Sequence, residues 1–310
     1  MKSIITVGLN PTLQKTFVFS SLTADAVNRS KECHFDVAGK ALNVSRVLSQ
    51  LGKENIHLTQ LGGSLRPVYL DLCAKDGLDV RWAESRSANE SATANANAIR
   101  ICCTLIDKEK NQVTELVEEG AGAGQGTEER ILEVFDSLLP NGSMLVVSGS
   151  KTGGFSDNII PEMVRRAKTL GLYVILDIRG ADLVNSLPFR PDLIKPNLDE
   201  FTATFAGGEQ GIVSGDKEKI AAQCRRIWTQ YGCSIVLTRG GSSLWYAEAG
   251  NLEELAIESV QALNPIGSGD AFTAGLASAL SDGAAFGEAL AEAVRCGRLN
   301  ALCLKPGSLR

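Results

Sequence analysis

What most limits the fold of this chain is the order of its apolar runs, in which short β-rich stretches alternate with segments of helical periodicity. SIITVGLN (3–10) opens with a buried strand, and NIHLTQLGG (55–63) returns to strand. Between them ALNVSRVLSQLG (41–52) repeats Leu42, Val44, Val47, Leu48 and Leu51 at helical spacing and stops at Gly52. The alternation resumes with MLVVSG (144–149), the helical IIPEMVRRAKTLG (159–171), YVILD (173–177), DLIKPN (192–197), a helix through 217–232, and SIVLTRG (234–240). Parallel strands need crossover connections of this kind, so the order predicts a doubly wound, mostly parallel α/β sheet. Several of these strands end in Gly, Asn, Asp or Lys, and such sheets bind ligands at the carboxyl ends of their strands.

Two segments break the pattern. Residues 12–36 and 89–118 read as strands and turns without an amphipathic helix between them. They fit either extra edge strands or a small sheet laid over the active end as a lid, and the lid is the expectation carried forward. The alanine-rich tail GAAFGEALAEAVRCGRLNALCLKPG supplies one or two packing helices with nothing catalytic evident. One domain over 1–310, with the lid inside it, accounts for the whole length.

A net charge of -5 gives no general attraction to nucleic acid or anionic lipid, so any anion site must be built locally. The N-terminus lacks the pattern of a signal peptide and no apolar run has membrane-spanning length, which leads to an expected cytoplasmic setting. The eight cysteines include no C-x-x-C pair, and His34 and His57 give no zinc pattern; most of the cysteines read as small buried hydrophobes in the reduced state.

The segment NPIGSGDAFTAGLASAL (264–280) puts Asp270 behind Gly267 and Gly269 where a helix begins. Locally two readings stay open. Asp270 is an N-cap on a glycine turn, or it is a carboxylate held beside an anion seat made of bare N–H groups and a helix end. The helix end would disfavour its protonation, making it a modest base. In DVAGKALNVS, Gly39 and Lys40 precede a helix, but His34 and Ala41 stand where a Walker A motif needs Gly and Ser or Thr, and no GxGxxG follows the first strand. A backbone N–H cluster with one point charge remains, suited to a phosphate or a polar sugar.

Taken in order, TVGLNP, AGKALNVSRVLSQLG, IRICCTLID, VVSGS, VILD, IKPNLDEF, VLTRG and NPIGSGDAFTAGLASAL run through nearly the whole chain. Together they resemble the ribokinase-like (PfkB) carbohydrate kinases, more narrowly the branch of 1-phosphofructokinase and tagatose-6-phosphate kinase. The resemblance implies a ribokinase-like fold with a β lid, ATP with Mg2+, and transfer of a phosphoryl group to a hydroxyl of a phosphorylated hexose. Fructose 1-phosphate is the first candidate and tagatose 6-phosphate or another sugar the alternative. By position it makes Asp270 the general base, with Gly267, Ser268 and Gly269 holding the γ-phosphoryl. Asn197 and Glu200 would organise magnesium and phosphate through water, Lys195 the turn or the nucleotide phosphates, and Thr238, Arg239 and Gly240 the nucleotide loop. Asn10, Gln14, Gly39, Lys40, Asn43 and Arg100 fall on the acceptor side, and Lys151 is a further cation for that side or lies outside the pocket. On residue type alone, Asn197 and Glu200 equally form a helix N-cap and capping box.

The chain also departs from the pattern. Gln14 stands where the branch usually carries an aspartate, Ile99 and Ile101 flank Arg100 where Thr and Asn are usual, and the nucleotide loop reads TRGGSS. The phosphoryl-transfer residues match better than the acceptor pocket, which keeps a catalytically inert sugar- or nucleotide-binding homologue as a remoter alternative. Lid sheets in the wider family pair between subunits, so a homodimer is expected, joined around Phe17, Val18 and Phe19 or Ile101 and Cys103.

Overall fold

The computed structural model describes residues 2–85, 99–206, 216–241 and 243–310. Two sheets are present. The larger is built from β1 (Ser3–Gly8), β4 (Asn55–Leu61), β5 (Val80–Glu84), β8 (Gly142–Ser148), β9 (Tyr173–Asp177), β10 (Leu193–Ile194), β11 (Ser234–Thr238), β12 (Ser243–Glu248) and β13 (Asn251–Ala256). Its spatial order is β13-β12-β11-β10-β9-β8-β1-β4-β5. All neighbours from β11 to β5 pair parallel, as expected, while β12 and β13 add an antiparallel hairpin at one edge that the sequence reading did not contain.

Adjacent side chains of a strand point to opposite faces, and both faces of the central parallel strands are covered, which is why those strands are largely apolar. On one face Ile5, Val7, Leu145, Val147, Val174 and Leu176 pack with α3 (Thr127–Leu138), α4 (Ile159–Thr169), α6 (Leu198–Phe205) and α7 (Lys217–Tyr231). On the other, Ile4, Met144, Val146 and Ile175 pack with α1 (Lys40–Gln50), α8 (Ser268–Ser281) and α9 (Phe286–Ala301). The two short helices α2 (Arg66–Lys75) and α5 (Gly180–Ser186) complete the set.

The smaller sheet has the order β3-β2-β6-β7, with β2 (Thr12–Phe19), β3 (Glu32–Ala38), β6 (Arg100–Asp107) and β7 (Gln112–Val117). It contains both segments that lacked helical periodicity, apart from 89–98, which lie outside the described residues. Parallel pairing of β2 with β6 sets Thr12 opposite Arg100 and Gln14 opposite Cys102, so these four share one face. Leu13 and Val37 leave from the other face into a cluster with Leu42, Leu61 and Tyr69, which roots the small sheet on α1 and α2.

The strand order reverses between β1 and β8, because the chain builds outward through β4 and β5 before returning. A crevice outside the carboxyl ends of these strands is the place where an open α/β sheet takes its ligands.

Candidate active site

Gly267 caps α8 with φ 82°, a conformation that favours glycine, and a Cβ there would lie 2.9 Å from Pro306 Cβ and from the Gly307 amide. Ser268, Gly269 and Asp270 then form the first helical positions. Asp270 is therefore not the N-cap, which corrects one of its two local readings. Its carboxylate accepts a hydrogen bond from Asn43 Nδ2 at 2.8 Å, across 227 residues of chain. The side chain is 6% exposed, and burial pushes its pKa up to about 6. Lys40, Asn43 and Lys195 pull it down, while the neighbouring Asp177 pushes it further up. The expectation that the helix end would keep this carboxyl easily ionised is overturned, because loss of water outweighs the helix end. A midpoint near 6 suits a general base better than that of an exposed aspartate.

Around Asp270 a cavity of about 320 Å3 is lined from both sheets, with Gln14, Arg100 and Cys102 on the small sheet and Lys40, Asp177 and Lys195 on the large domain. Lys195 and Asp177 are buried and paired at 3.3 Å. Asp177 also accepts from Thr273 Oγ1 at 2.9 Å and Ser148 Oγ at 3.2 Å. Burial works to raise the Asp177 carboxyl, but Lys195, Lys40 and these bonds hold it below the usual carboxylate range. Lys40 is in turn raised, first by Asp177, then by Asp270 and Glu200 against the effect of burial. Asp177 is the site residue that the sequence reading did not assign; its signal was an acid closing the buried strand YVILD.

Asn197 caps α6 and forms a complete capping box, with Glu200 N donating to Asn197 Oδ1 at 2.8 Å and Asn197 N to Glu200 Oε2 at 3.0 Å. The other oxygen of Glu200 stands 3.6 Å from Lys40 Nζ. Both residues line the Asp270 cavity, so forming the capping box does not take them away from the site. Among the described residues, no group of three or more His, Cys, Asp or Glu side chains could hold a metal by itself.

Two further cavities adjoin. One of about 440 Å3 is largely apolar, with Ile257, Val260, Phe272 and Val294, and it meets the Asp270 cavity at Thr238 and Gly269; Gly240 lines it as well. Arg239 belongs to neither lining. Its guanidinium lies 4.2 Å from the Trp245 ring centroid and donates to Ser243 Oγ and Glu254, each at 2.9 Å, so its role here is packing of the β12–β13 hairpin.

The other cavity, of about 80 Å3, sits at the β1/β8 reversal and shares Gly39, Lys40 and Arg100 with the Asp270 cavity. Gly39, at φ 116°, turns the chain into α1. Asn10 Nδ2 donates to Ser150 Oγ at 3.3 Å, while Asn10 Oδ1 is buried with no partner. Arg100 Nε donates to Thr12 Oγ1 at 3.0 Å, so the arginine does point from β6 toward the site. Gln14 is buried, and its Nε2 donates to Thr104 Oγ1 at 2.7 Å. Lys151 lines none of these cavities; Asp182 and Asp157 pair with its ammonium, which places it outside the pocket, the second of its two expected positions.

The pfkB family carbohydrate kinase model matches residues 14–308. Among solved structures, phosphofructokinase-2 from Escherichia coli in complex with potassium superposes with a TM-score of 0.82 at 20% identity, covering 98% of this chain and 94% of that one. A possible 1-phosphofructokinase from Thermotoga maritima gives 0.83 at 18% identity over 98% and 93% of the two chains. Ribokinase from the same organism gives 0.73 at 17% identity over 99% and 95%. At such identities the superpositions establish the ribokinase-like fold, and the match over almost the full length establishes the family. With a buried carboxylate at the glycine turn of α8, the chain belongs to the pfkB family of carbohydrate kinases and is an ATP-dependent sugar kinase.

Proposed function

We propose that the acceptor is a phosphorylated hexose, fructose 1-phosphate first and tagatose 6-phosphate second. The observation that carries this is the small polar cavity beside the Asp270 cavity, flanked by Lys40 and Arg100. Two cations converging on a neutral sugar would lose hydration without a matching anion, whereas a phosphate accepts charge-assisted bonds from both. With the acceptor's phosphate there, its free hydroxyl reaches into the cavity beside Asp270. Gln14, its Nε2 engaged by Thr104, offers Oε1 to a sugar hydroxyl in place of a carboxylate.

The apolar cavity suits the base of ATP, and its junction at Gly269 leads the phosphates to the N–H groups of Gly267 and Gly269, while that of Ser268 already donates to the Pro265 carbonyl at 3.2 Å. Asp270 accepts the hydroxyl proton as the hydroxyl oxygen bonds to the γ-phosphorus and the bond to the β-phosphate oxygen breaks, releasing ADP. Lys195 and the helix end offset the charge that develops. Asn197 and Glu200, already tied to each other, would hold Mg2+ through its waters, where it would supply positive charge against the nucleotide phosphates. The small sheet acts as the lid that shuts water out.

We also propose a cytoplasmic homodimer. Phe35, Ile101 and Leu116 are exposed on one face of the small sheet, an apolar face that a second copy would cover. Val18 and Phe19, expected at such an interface, are already buried within one chain. A tetrameric inhibited form is described for the E. coli phosphofructokinase-2.

An ATP-consumption screen over fructose 1-phosphate, fructose 6-phosphate, tagatose 6-phosphate, fructose and ribose tests the acceptor. Faster turnover of free sugars than of every phosphosugar would refute it.

A further inference from the structure

Arg46 lies one turn beyond Asn43 on α1, lines neither the Asp270 cavity nor its two neighbours, and is only 5% exposed. Phosphoryl transfer as described gives it nothing to do. Yet four of its five guanidinium N–H groups are engaged. Nε donates to Asp76 Oδ2 at 2.9 Å, one terminal nitrogen to Asn43 Oδ1 and to the Pro306 carbonyl at 2.9 Å each, and the other to the Val37 carbonyl at 2.5 Å.

The consequence falls on the Asn43 amide, whose two ends are nearly the same shape and opposite in polarity. Because Oδ1 takes the Arg46 proton, the NH2 end must face Asp270, and it does, at 2.8 Å from Oδ2. A flipped amide would set an oxygen against the carboxylate and an NH2 against the guanidinium. Arg46 makes that flip doubly unfavourable. We infer that Arg46 is a positioning residue for the base: through Asn43 it holds one oxygen of Asp270 and leaves the other free for the acceptor's proton. The inference rests on Asp270 serving as base in the reaction proposed above.

The remaining contacts of Arg46 show what the base is referenced to. Val37 is the last residue but one of β3, two ahead of Gly39, Asp76 caps the C-terminus of α2, and Pro306 belongs to the C-terminal segment packed against the Gly267 turn. That segment is tightly seated: a Cβ on Gly307 would lie 2.9 Å from Asn43 and 3.1 Å from an Arg46 nitrogen. The charged groups around the relay are Lys40, Asp177 and Lys195 on the Asp270 side and Asp76 on the Arg46 side. Asp76 is itself bound by Lys305, at 2.8 Å.

The test is a carboxyl-carbon NMR titration of Asp270 in the full chain, with the resonance assigned by Asp270→Asn. Arg46→Lys keeps the charge, but one ammonium cannot span four partners. The Asp270 midpoint should rise by about half a pH unit or more, since a hydrogen bond to the charged form is loosened. Asn43→Ala should raise it likewise, and adding Arg46→Lys to Asn43→Ala should change nothing further, because the effect passes through Asn43. An unmoved midpoint in Arg46→Lys, or additive shifts in the double variant, would overturn the inference. If Arg46→Lys does not fold, the unsubstituted protein decides: the Asn43 side-chain amide protons should exchange slowly, and rapid exchange would overturn it. None of these measurements requires turnover. A protein inactive on every phosphosugar would refute the acceptor assignment, while the Asp270 midpoints would still decide the role of Arg46.

Discussion

Replacing Asp270 by asparagine should abolish most turnover and at the same time make the protein more stable at neutral pH. Burial moves the carboxyl from 3.8 to about 6. Between those values the folded protein keeps a proton that the unfolded chain has released, so stability falls as pH rises through that window and is level above it. A shift of a little over two units at about 1.4 kcal/mol each corresponds to about 3 kcal/mol of stability lost by pH 7.5. Asparagine is nearly isosteric, can still accept from Asn43 Nδ2, and carries no charge to desolvate. Urea unfolding of variant and parent at pH 4 and pH 7.5 reads the effect as a difference of differences, in which the titration of other groups cancels. The variant should gain about 2.5 kcal/mol relative to the parent between the two pH values, since pH 4 already lies just inside the window, while kcat falls by about 10²- to 10⁴-fold. A stability difference that stays constant from pH 4 to 7.5 would refute the desolvation argument, and unimpaired turnover would refute the role as base.

Arg100→Ala should raise KM for the phosphorylated acceptor by about tenfold or more while KM for ATP moves less than about twofold, because only uniform binding of the acceptor is lost; equal changes in both would remove Arg100 from the acceptor side. Lys195→Met should cost about 3–5 kcal/mol at pH 7.5 by stranding the buried Asp177 charge, with the loss shrinking in acid as Asp177 takes up a proton. Urea unfolding checks this, and a loss under about 1 kcal/mol would mean that water already reaches the pair. Sedimentation velocity at micromolar protein should show a dimer that Leu116→Glu converts to a 32.9 kDa monomer; a monomeric parent would remove the interface.

The parallel core was legible because burial on both faces leaves a local trace: Ile4, Ile5 and Val7 serve two different clusters and therefore all read apolar. The β12–β13 hairpin left a weaker trace. Most of β13 faces solvent, and NLEELA, rich in Glu, carries no strand signature of its own. The glycine turn, the Asn197–Glu200 box and the inward Arg100 could be read from short motifs, since each is settled within a few residues of chain. Lys151 and Arg239 could not. Whether a cation faces a cavity depends on which partner claims it, and Asp182 and Trp245 lie at positions that no local pattern connects to them.

The same reason explains why Asp270 was read as a modest base. Position in the helix is a local fact, and a carboxylate in the first turn gains about 0.3–1 kcal/mol from the helix end. Burial is a collective fact: it needs α1 packed beside α8, the C-terminal segment wedged against Gly267, and the small sheet over the cavity. The fold brings these together from residues as far apart as Asn43 and Pro306, and the resulting cost of about 3 kcal/mol exceeds the helix-end gain several-fold. The role proposed for Asp270, taking a proton near neutral pH, needs the larger, nonlocal effect to win. The site therefore becomes competent only when the whole chain has folded around it, which also accounts for why Arg46 is buried where it touches no substrate.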